Sequence, residues 1–116
     1  MNVEQCYRAF GGDYNGTAMR LVKTELLTRL LRLFEEDTSL EDIDNAIAAG
    51  DVESAFRAAH TLKGVALNLG FTELAASSSA LTEYFRSGAL DGCGKLRDTA
   101  ARDYNRVKDA LRMLDR

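Results

Sequence analysis

The one histidine of the sequence, His60, is followed at helical spacing by a lysine. A neutral imidazole offers a ring-nitrogen lone pair and can act as a nucleophile. If the ring accepts a phosphoryl group, the surface around it gains about two negative charges. Lys63 lies one helical turn after His60, where its ammonium group could offset that charge. These residue types and their spacing therefore suit the carriage of a phosphoryl group.

Gly64 follows Lys63 directly and lies in the middle of the same predicted helix. A glycine inside a helix costs about 1 kcal/mol relative to alanine, so the helix itself gains nothing from it. Glycine does remove the side chain that would obstruct an approaching molecule. We therefore interpret Gly64 as the point of closest approach for an outside partner.

The helix predicted from residue 51 to residue 69 has a clear apolar face. Successive residues of an α-helix are rotated by about 100° around the helix axis, which places the apolar side chains within one arc of the helix surface. By the same rotation, His60 lies about 150° from the centre of that arc. His60 is thus predicted to face water, so it is unlike a histidine that is hydrogen-bonded in the core. The other interpretation is an exposed histidine that has no role. The predicted buried arc consists of Val52, Ala55, Ala58, Ala59, Leu62, Val65, Ala66 and Leu69.

Four further residues lie one or two turns from His60 and are predicted to form a docking face: Phe56, Arg57, Leu67 and Asn68. Phe56 and Leu67 lie at the edge of the buried arc on the side of His60. Two apolar side chains there would form a rim suited to a protein partner. Packing against a neighbouring helix is an equally good interpretation of Phe56, because residues at the edge of an apolar face are ambiguous.

Several classes of function are excluded or disfavoured. A single histidine excludes zinc sites with two or three histidine ligands and haem held by two histidines. The sequence around His60 contains no acidic metal cluster and no glycine-rich nucleotide loop, so we expect no metal site. The formal charge of −3 disfavours nucleic acid as a partner. The longest apolar run is far too short for a membrane span, and we expect no membrane partner.

The helices that must position these residues are predicted by apolar periodicity. The chain has 116 residues and no proline, which fits one domain that is helical almost throughout, and no strand pattern occurs. Residues 13–19 are rich in turn formers and are expected to hold at most one helical turn. The first predicted helix is Val3–Phe10, and the second begins at a cap formed by Thr24. The next three begin at Thr38 or Ser39, at Asp51 and at Thr72, and they end at Gly50, at Gly70 and at residues 87–88. The last helix has the apolar stripe Leu96, Ala100, Tyr104, Val107, Leu111 and Leu114.

Short connections between the last four helices favour antiparallel neighbours. We therefore predict an all-α fold: a single domain over residues 1–116, with short N-terminal helices in residues 1–37 and an antiparallel up-down four-helix bundle in residues 38–116. The core stripes predicted for the other helices are Leu26, Leu27, Leu30, Leu31, Leu33 and Phe34; Leu40, Ile43, Ala46 and Ile47; and Leu74, Ser78, Leu81 and Phe85.

The two cysteines, Cys6 and Cys93, lie near opposite ends of the chain and form no CxxC pair. Together with the lack of a signal peptide pattern, this favours reduced thiols in a cytoplasmic protein. A disulfide between the two ends of the chain is the alternative. The start at Met1 and a last helix that runs to the final residue favour a free-standing protein.

The motif around the histidine resembles the signature of the histidine-containing phosphotransfer (HPt) domain family. The resemblance covers residues 20–114, while residues 11–23 depart from the shortest family members, whose first long helix directly follows a Gly-Gly-Asp sequence. The residues that carry it are His60-Thr61-Leu62-Lys63-Gly64, with Ala58-Ala59 before and Asn68-Leu69-Gly70 after, supported by Gly50-Asp51, Leu74, Leu81 and a leucine-rich helix that ends in Phe34.

This resemblance implies a four-helix bundle that relays phosphoryl groups in two-component signalling of the bacterial type. His60 matches the residue that is phosphorylated, at the ring nitrogen remote from the backbone. Lys63 matches the residue that stabilises the phosphate, and Gly64 matches the one that lets the receiver domain approach. The partner is a response-regulator receiver domain or a hybrid histidine kinase, which supplies the aspartate and the Mg²⁺. The chain itself is expected to bind no cofactor and to be a monomer.

The sequence leaves three other functions to consider. A kinase catalytic domain could phosphorylate His60 directly, but the ATP-binding module would have to come from outside this sequence. A helical adaptor could bind a signalling protein without any chemistry. An enzyme could use His60 as a general base, although the sequence offers no second positioned group.

Overall fold

The computed structural model describes residues 1–21 and 24–115, and these ranges contain seven α-helices and no strand. The all-α prediction is therefore confirmed. The helices are α1 (Val3–Phe10), α2 (Tyr14–Leu21), α3 (Thr24–Glu35), α4 (Ser39–Ala48), α5 (Val52–Leu69), α6 (Thr72–Arg86) and α7 (Gly94–Arg112).

Helix α5 lies at the centre of the packing. It contacts α4 on one side, α6 on another and part of α3. Helix α7 packs against α6, α1 and α3, and its Arg97 forms an ion pair with Asp44 of α4 at 2.6 Å. Neighbours in sequence from α4 to α7 are thus neighbours in space, as short connections require. The antiparallel direction of the helices and the division of the chain at residue 37 remain predictions.

The predicted apolar stripes mostly enter one continuous core. On α5, Ala55, Ala59, Leu62, Ala66 and Leu69 are buried, and the other three members of the predicted arc pack against the core at its edge. On α6 the whole stripe is buried, and on α7 only Leu96 is partly exposed. The stripe on α3 is wrong at two positions. Leu26 and Leu33 are 38% and 63% exposed, because α3 covers the core with the narrower face formed by Leu27, Leu31 and Phe34.

Residues 13–19 differ from the expected turn-rich segment. The helix α2 begins at Tyr14 and extends to Leu21, because Asp13 caps its first turn by accepting a hydrogen bond from the Gly16 amide at 3.0 Å. The hydroxyl of the buried Thr17 also donates to the Asp13 carbonyl at 2.7 Å. Asn15 and Gly16, whose residue types favour turns, therefore lie inside the two turns of helix α2.

The predicted helix caps have mixed outcomes. Asp51 caps α5 as predicted, since its carboxylate accepts the Ser54 amide at 3.1 Å. The Thr38 side chain makes no capping bond, and the carboxylate of Asp37 accepts the Ser39 amide at 2.8 Å instead. Thr72 is already helical and the cap position belongs to the residue before it. The Thr24 side chain, which was predicted to cap α3, lies outside the side chains that the structure describes.

Cys6 and Cys93 are both buried and free, so the structure contains the reduced thiols that the sequence favoured and not the alternative disulfide. Burial raises the pKa of the Cys6 thiol, which donates to the carbonyl of Ala110 at 3.3 Å. A buried thiol that is mostly protonated is a poor nucleophile. The Cys93 side chain is also buried, so neither cysteine is accessible for surface chemistry.

Candidate functional site

The imidazole of His60 is exposed near the middle of the 18-residue helix α5. Its neighbours in sequence fix this orientation. Ala59 and Leu62 are completely buried and turn their side of the helix to the core, so His60 must face outward. The structure thus places the predicted nucleophile on a rigid element and within reach of another molecule.

His60 has one neighbouring ring among the described residues. The phenyl ring of Phe56, one turn earlier on α5, stacks on the imidazole with the ring centroids 5.7 Å apart and the planes 10° from parallel. Phe56 is half-buried and packs against the core at the side of α6. The packing interpretation of Phe56 is thus confirmed, and the residue also touches the histidine, whereas its place in a docking face stays a prediction.

Lys63 is half-buried, and among the described residues no carboxylate lies within ion-pairing distance of its ammonium group. It lines a cleft of about 450 Å³ between α2, α5 and α6. Leu67, which is 57% exposed, and Arg20 of α2 line the same cleft. Lys63 is thus a cation beside the histidine whose charge remains available for an anionic group.

Gly64 is exposed and lies in open space. A Cβ atom added there would meet no atom within 4 Å outside the backbone of its own helix. No close packing of a neighbouring helix therefore requires a glycine at this position. The open surface is compatible with the predicted approach of a partner at Gly64.

The predicted docking residues face different sides of α5. Phe56 lines a groove toward α6 with Phe85 and Arg86, whereas Asn68 lines a groove of about 260 Å³ toward α3. Arg57 is exposed. The predicted docking residues are therefore divided between grooves on two sides of α5, and their assignment to docking stays a prediction.

Arg86 was not predicted as part of the site. Its guanidinium carbon lies 4.8 Å from the centroid of the Phe56 ring, and its Nε atom is 3.1 Å from a carboxylate oxygen of Glu83. The residue belongs to α6, 26 positions after the histidine. Nothing in the periodicity of either helix identifies this contact, because it depends on how α5 and α6 pack.

The carboxyl end of α5 is held by residues far away in sequence. The hydroxyl of Tyr7 donates to the carbonyl of Leu69 at 2.6 Å, and the amide of Asp13 donates to the carbonyl of Gly70 at 2.8 Å. The guanidinium of Arg20 donates to the carbonyl of Asn68 at 2.9 Å. Helix ends leave carbonyl groups without partners inside the helix, and α1, α2 and their connection supply the missing donors here.

The described residues contain no group of three or more histidine, cysteine, aspartate or glutamate side chains that could hold a metal ion. A cleft of about 560 Å³ between α6 and α7 is lined by Glu73, Arg102, Asp103 and Arg106 among others, and by no residue of α5. It is therefore separate from the candidate site. Within the described part of the chain, no helix combines the length and apolar character that crossing a membrane requires.

A family model matches most of the chain. It is that of the Hpt domain, and it matches residues 25–116, a span that covers α3 from its second residue and all of α4 to α7. The chain therefore belongs to the histidine-containing phosphotransfer domain family. Domains of this family carry out histidine phosphotransfer in two-component phosphorelays and interact with receiver domains and histidine kinases. No curated protein and no solved structure gives a significant match.

Proposed function

We propose that the chain accepts a phosphoryl group on His60 from the phosphoaspartate of one receiver domain and passes it to the aspartate of another. The observation that carries this proposal is the position of the imidazole, exposed on the outer side of the central helix α5, one turn before the open surface at Gly64. A receiver domain can approach this exposed side and enclose the histidine with its own acidic site.

The transfer uses the lone pair of the ring nitrogen remote from the backbone. This nitrogen attacks phosphorus and forms a P–N bond, while the P–O bond of the acyl phosphate breaks and the carboxylate leaves with its electron pair. The other ring nitrogen keeps its proton throughout. In the onward step an aspartate oxygen of the second receiver attacks phosphorus, and the imidazole leaves with the electron pair of the P–N bond.

Lys63 and Gly64 have separate parts in this proposal. The phosphoryl group on His60 brings about two negative charges to the helix surface, and the ammonium of Lys63 one turn away stabilises them. Gly64 leaves room for the receiver backbone. Arg57, Leu67 and Asn68 contact the receiver around the histidine. The receiver provides the Mg²⁺, and the chain acts as a cytoplasmic monomer.

The test is transfer from a phosphorylated receiver domain in the presence of Mg²⁺. The wild-type chain is expected to gain phosphate that is labile in acid and stable in alkali, and His60→Gln is expected to gain none. Circular dichroism should show the same helix content for both proteins, because the side chain of His60 is exposed. Phosphate on the His60→Gln protein would show that another residue is the acceptor.

The role of Lys63 is tested with Lys63→Ala in the same assay. An exposed ion pair contributes about 0.2–1 kcal/mol. We therefore expect the phosphohistidine lifetime or the transfer rate to fall by about 2- to 5-fold with folding intact. Lys95→Ala, an exposed lysine at the start of α7, is the matched control. Equal rates and lifetimes for the Lys63 variant and the wild type would remove Lys63 from the site.

A further inference from the structure

The stack of Phe56 on His60 has a geometry that a simple docking rim does not need. The two rings are almost parallel, with an angle of 10° between planes and 5.7 Å between centroids. Residues four apart on a helix are neighbours along its surface, so the contact is built into α5 itself. An exposed histidine without such a neighbour would be free to change its side-chain torsions.

Phe56 is itself held from the α6 side. It packs against the hydrophobic core and lines a groove with Phe85, a residue that is 2% exposed. The guanidinium carbon of Arg86 lies 4.8 Å from the centroid of its ring, within the range of a cation–π contact. The Glu83 carboxylate in turn holds Arg86 at 3.1 Å. A chain of contacts therefore runs from α6 through the phenyl ring to the imidazole.

Orientation matters for this nucleophile. Attack on phosphorus requires the nitrogen lone pair to point at the phosphorus atom, opposite the leaving oxygen. A side chain that must find this orientation after docking loses rotamer freedom at that moment, which slows the step. A ring already held against a fixed phenyl group has lost that freedom in the folded state.

We propose that Phe56 is a positioning residue that presents the His60 imidazole to the incoming phosphorus, and that Arg86 braces Phe56 from α6. This inference rests on the proposed phosphotransfer at His60. It differs from a docking role, because positioning acts on the rate of transfer inside the complex and docking acts on the formation of the complex.

The first readout is spectroscopic and needs no partner. His60 is the single histidine, so its two ring C–H protons give the only imidazole signals in the NMR spectrum. The neighbouring phenyl ring should shift these signals in the wild type away from the positions of a histidine in an unfolded peptide. The shift should disappear in Phe56→Leu, remain in Phe56→Tyr and decrease in Arg86→Gln. Arg86 is exposed, so its substitution leaves the core intact.

The second readout is the transfer rate as a function of the concentration of phosphorylated receiver. Phe56→Leu should lower the rate at saturation by about 3- to 10-fold, while the half-saturating concentration changes by less than about twofold. Phe56→Tyr, which keeps the ring, should restore the wild-type rate. Arg86→Gln should lower the rate less than Phe56→Leu. Met113→Ala, an exposed apolar residue at the end of α7, is the matched control and should behave as wild type.

The opposite outcomes separate the hypotheses. A higher half-saturating concentration with an unchanged maximal rate would overturn positioning and make Phe56 a docking residue. An unchanged curve together with a lost ring-current shift would also overturn positioning and leave Phe56 with a packing role. A wild-type protein that shows the shift but accepts no phosphate would instead refute the proposed function, while the stack itself would be established.

Discussion

The two ends of helix α5 are stabilised in different ways. At the amino end, Asp51 caps the helix with its own side chain, and the Ser54 hydroxyl donates to the same carboxylate at 2.6 Å. At the carboxyl end, Gly70 turns the chain with a φ of +73°, and donors from Tyr7 and Asp13 satisfy the last carbonyls. The amino end is closed by residues within four positions, whereas the carboxyl end takes donors from residues about 60 positions away in addition to the local amides of Gly70 and Phe71.

The difference shows how the histidine is placed. A local cap fixes where the helix begins, and therefore which residues can share a face with His60. The distant donors fix where the carboxyl end lies relative to α1 and α2. That end carries Lys63, Leu67 and the cleft that they line with Arg20. The part of the site around Lys63 consequently depends on residues that precede the segment matched by the Hpt family.

The largest expected effect is that of Gly70→Ala, compared with Gly50→Ala. Both glycines have positive φ angles, +73° and +69°, which cost an alanine about 1–2 kcal/mol. A Cβ at Gly70 would in addition overlap the hydroxyl oxygen of Thr17 and lie 2.8 Å from the carbonyl oxygen of Asp13, whereas at Gly50 it meets nothing within 4 Å. The extra overlap should cost about 1–3 kcal/mol more in urea unfolding.

Equal losses for the two alanine variants would contradict this prediction. They would mean that α2 moves aside at little cost, and that the carboxyl end of α5 does not depend on a close fit to α2.

Tyr7→Phe should have the next largest effect. The Tyr7 side chain is 1% exposed and its hydroxyl donates to the Leu69 carbonyl. Removal of the donor leaves a buried carbonyl without a partner, which should lower the free energy of unfolding by about 1–3 kcal/mol. Tyr14→Phe is the control, because Tyr14 is half-buried and should change stability by less than about 0.5 kcal/mol. A loss as small as that of the control would show that the bond contributes little.

The buried hydroxyl of Tyr7 also leads us to expect a loss of stability in alkali. Burial raises the pKa of its hydroxyl above the ordinary value of about 10, so the folded chain holds this proton at a pH where the unfolded chain has released it. Stability should thus fall as the pH rises above about 10. The fall should be smaller in Tyr7→Phe, as followed by thermal unfolding at a series of pH values.

Gly64 lies between the two ends of α5, and its replacement by alanine should stabilise the protein. The added methyl group meets no neighbour, and the gain in helix propensity is about 1 kcal/mol. A bulkier residue such as leucine should keep the helix stable and impair transfer from the receiver. A loss of stability in the alanine variant would mean that the glycine serves packing, which the open surface around it argues against.

Asp51→Asn should have the smallest effect, and one that depends on pH. Hydrogen bonds from the Ser54 hydroxyl and amide hold the pKa of Asp51 below its usual value, so the unfolded chain binds this proton first as the pH falls. The stabilisation is complete above the unfolded pKa of about 4 and is lost as the pH falls through the lower folded value. Asparagine caps about equally well. The greater stability of the wild type over Asp51→Asn should therefore disappear in acid. A difference in the free energy of unfolding that stays constant with pH would contradict the assignment of this carboxylate as the cap.

Much of the site could be predicted because it lies on one helix. The spacing of Ala55, Ala59, Leu62 and Ala66 defines the buried face, and helical geometry alone then places His60 outward. The relation of His60 to Lys63 and Gly64 follows from the same geometry. The errors lie where the local pattern was ambiguous. Leu33 matches an apolar stripe but is 63% exposed.

By itself, the sequence determined the helical class, the buried face of α5, its amino-terminal cap and the histidine motif, because these depend on residues within one or two helical turns. Only the tertiary structure decided which distant groups meet α5. The contact of Arg86 with Phe56, the cleft shared by Arg20 and Lys63, and the donors at Leu69 and Gly70 each join elements whose separation in sequence carries no periodic signal. Packing of whole helices brings these groups together, and it is governed by the fit of many side chains at once.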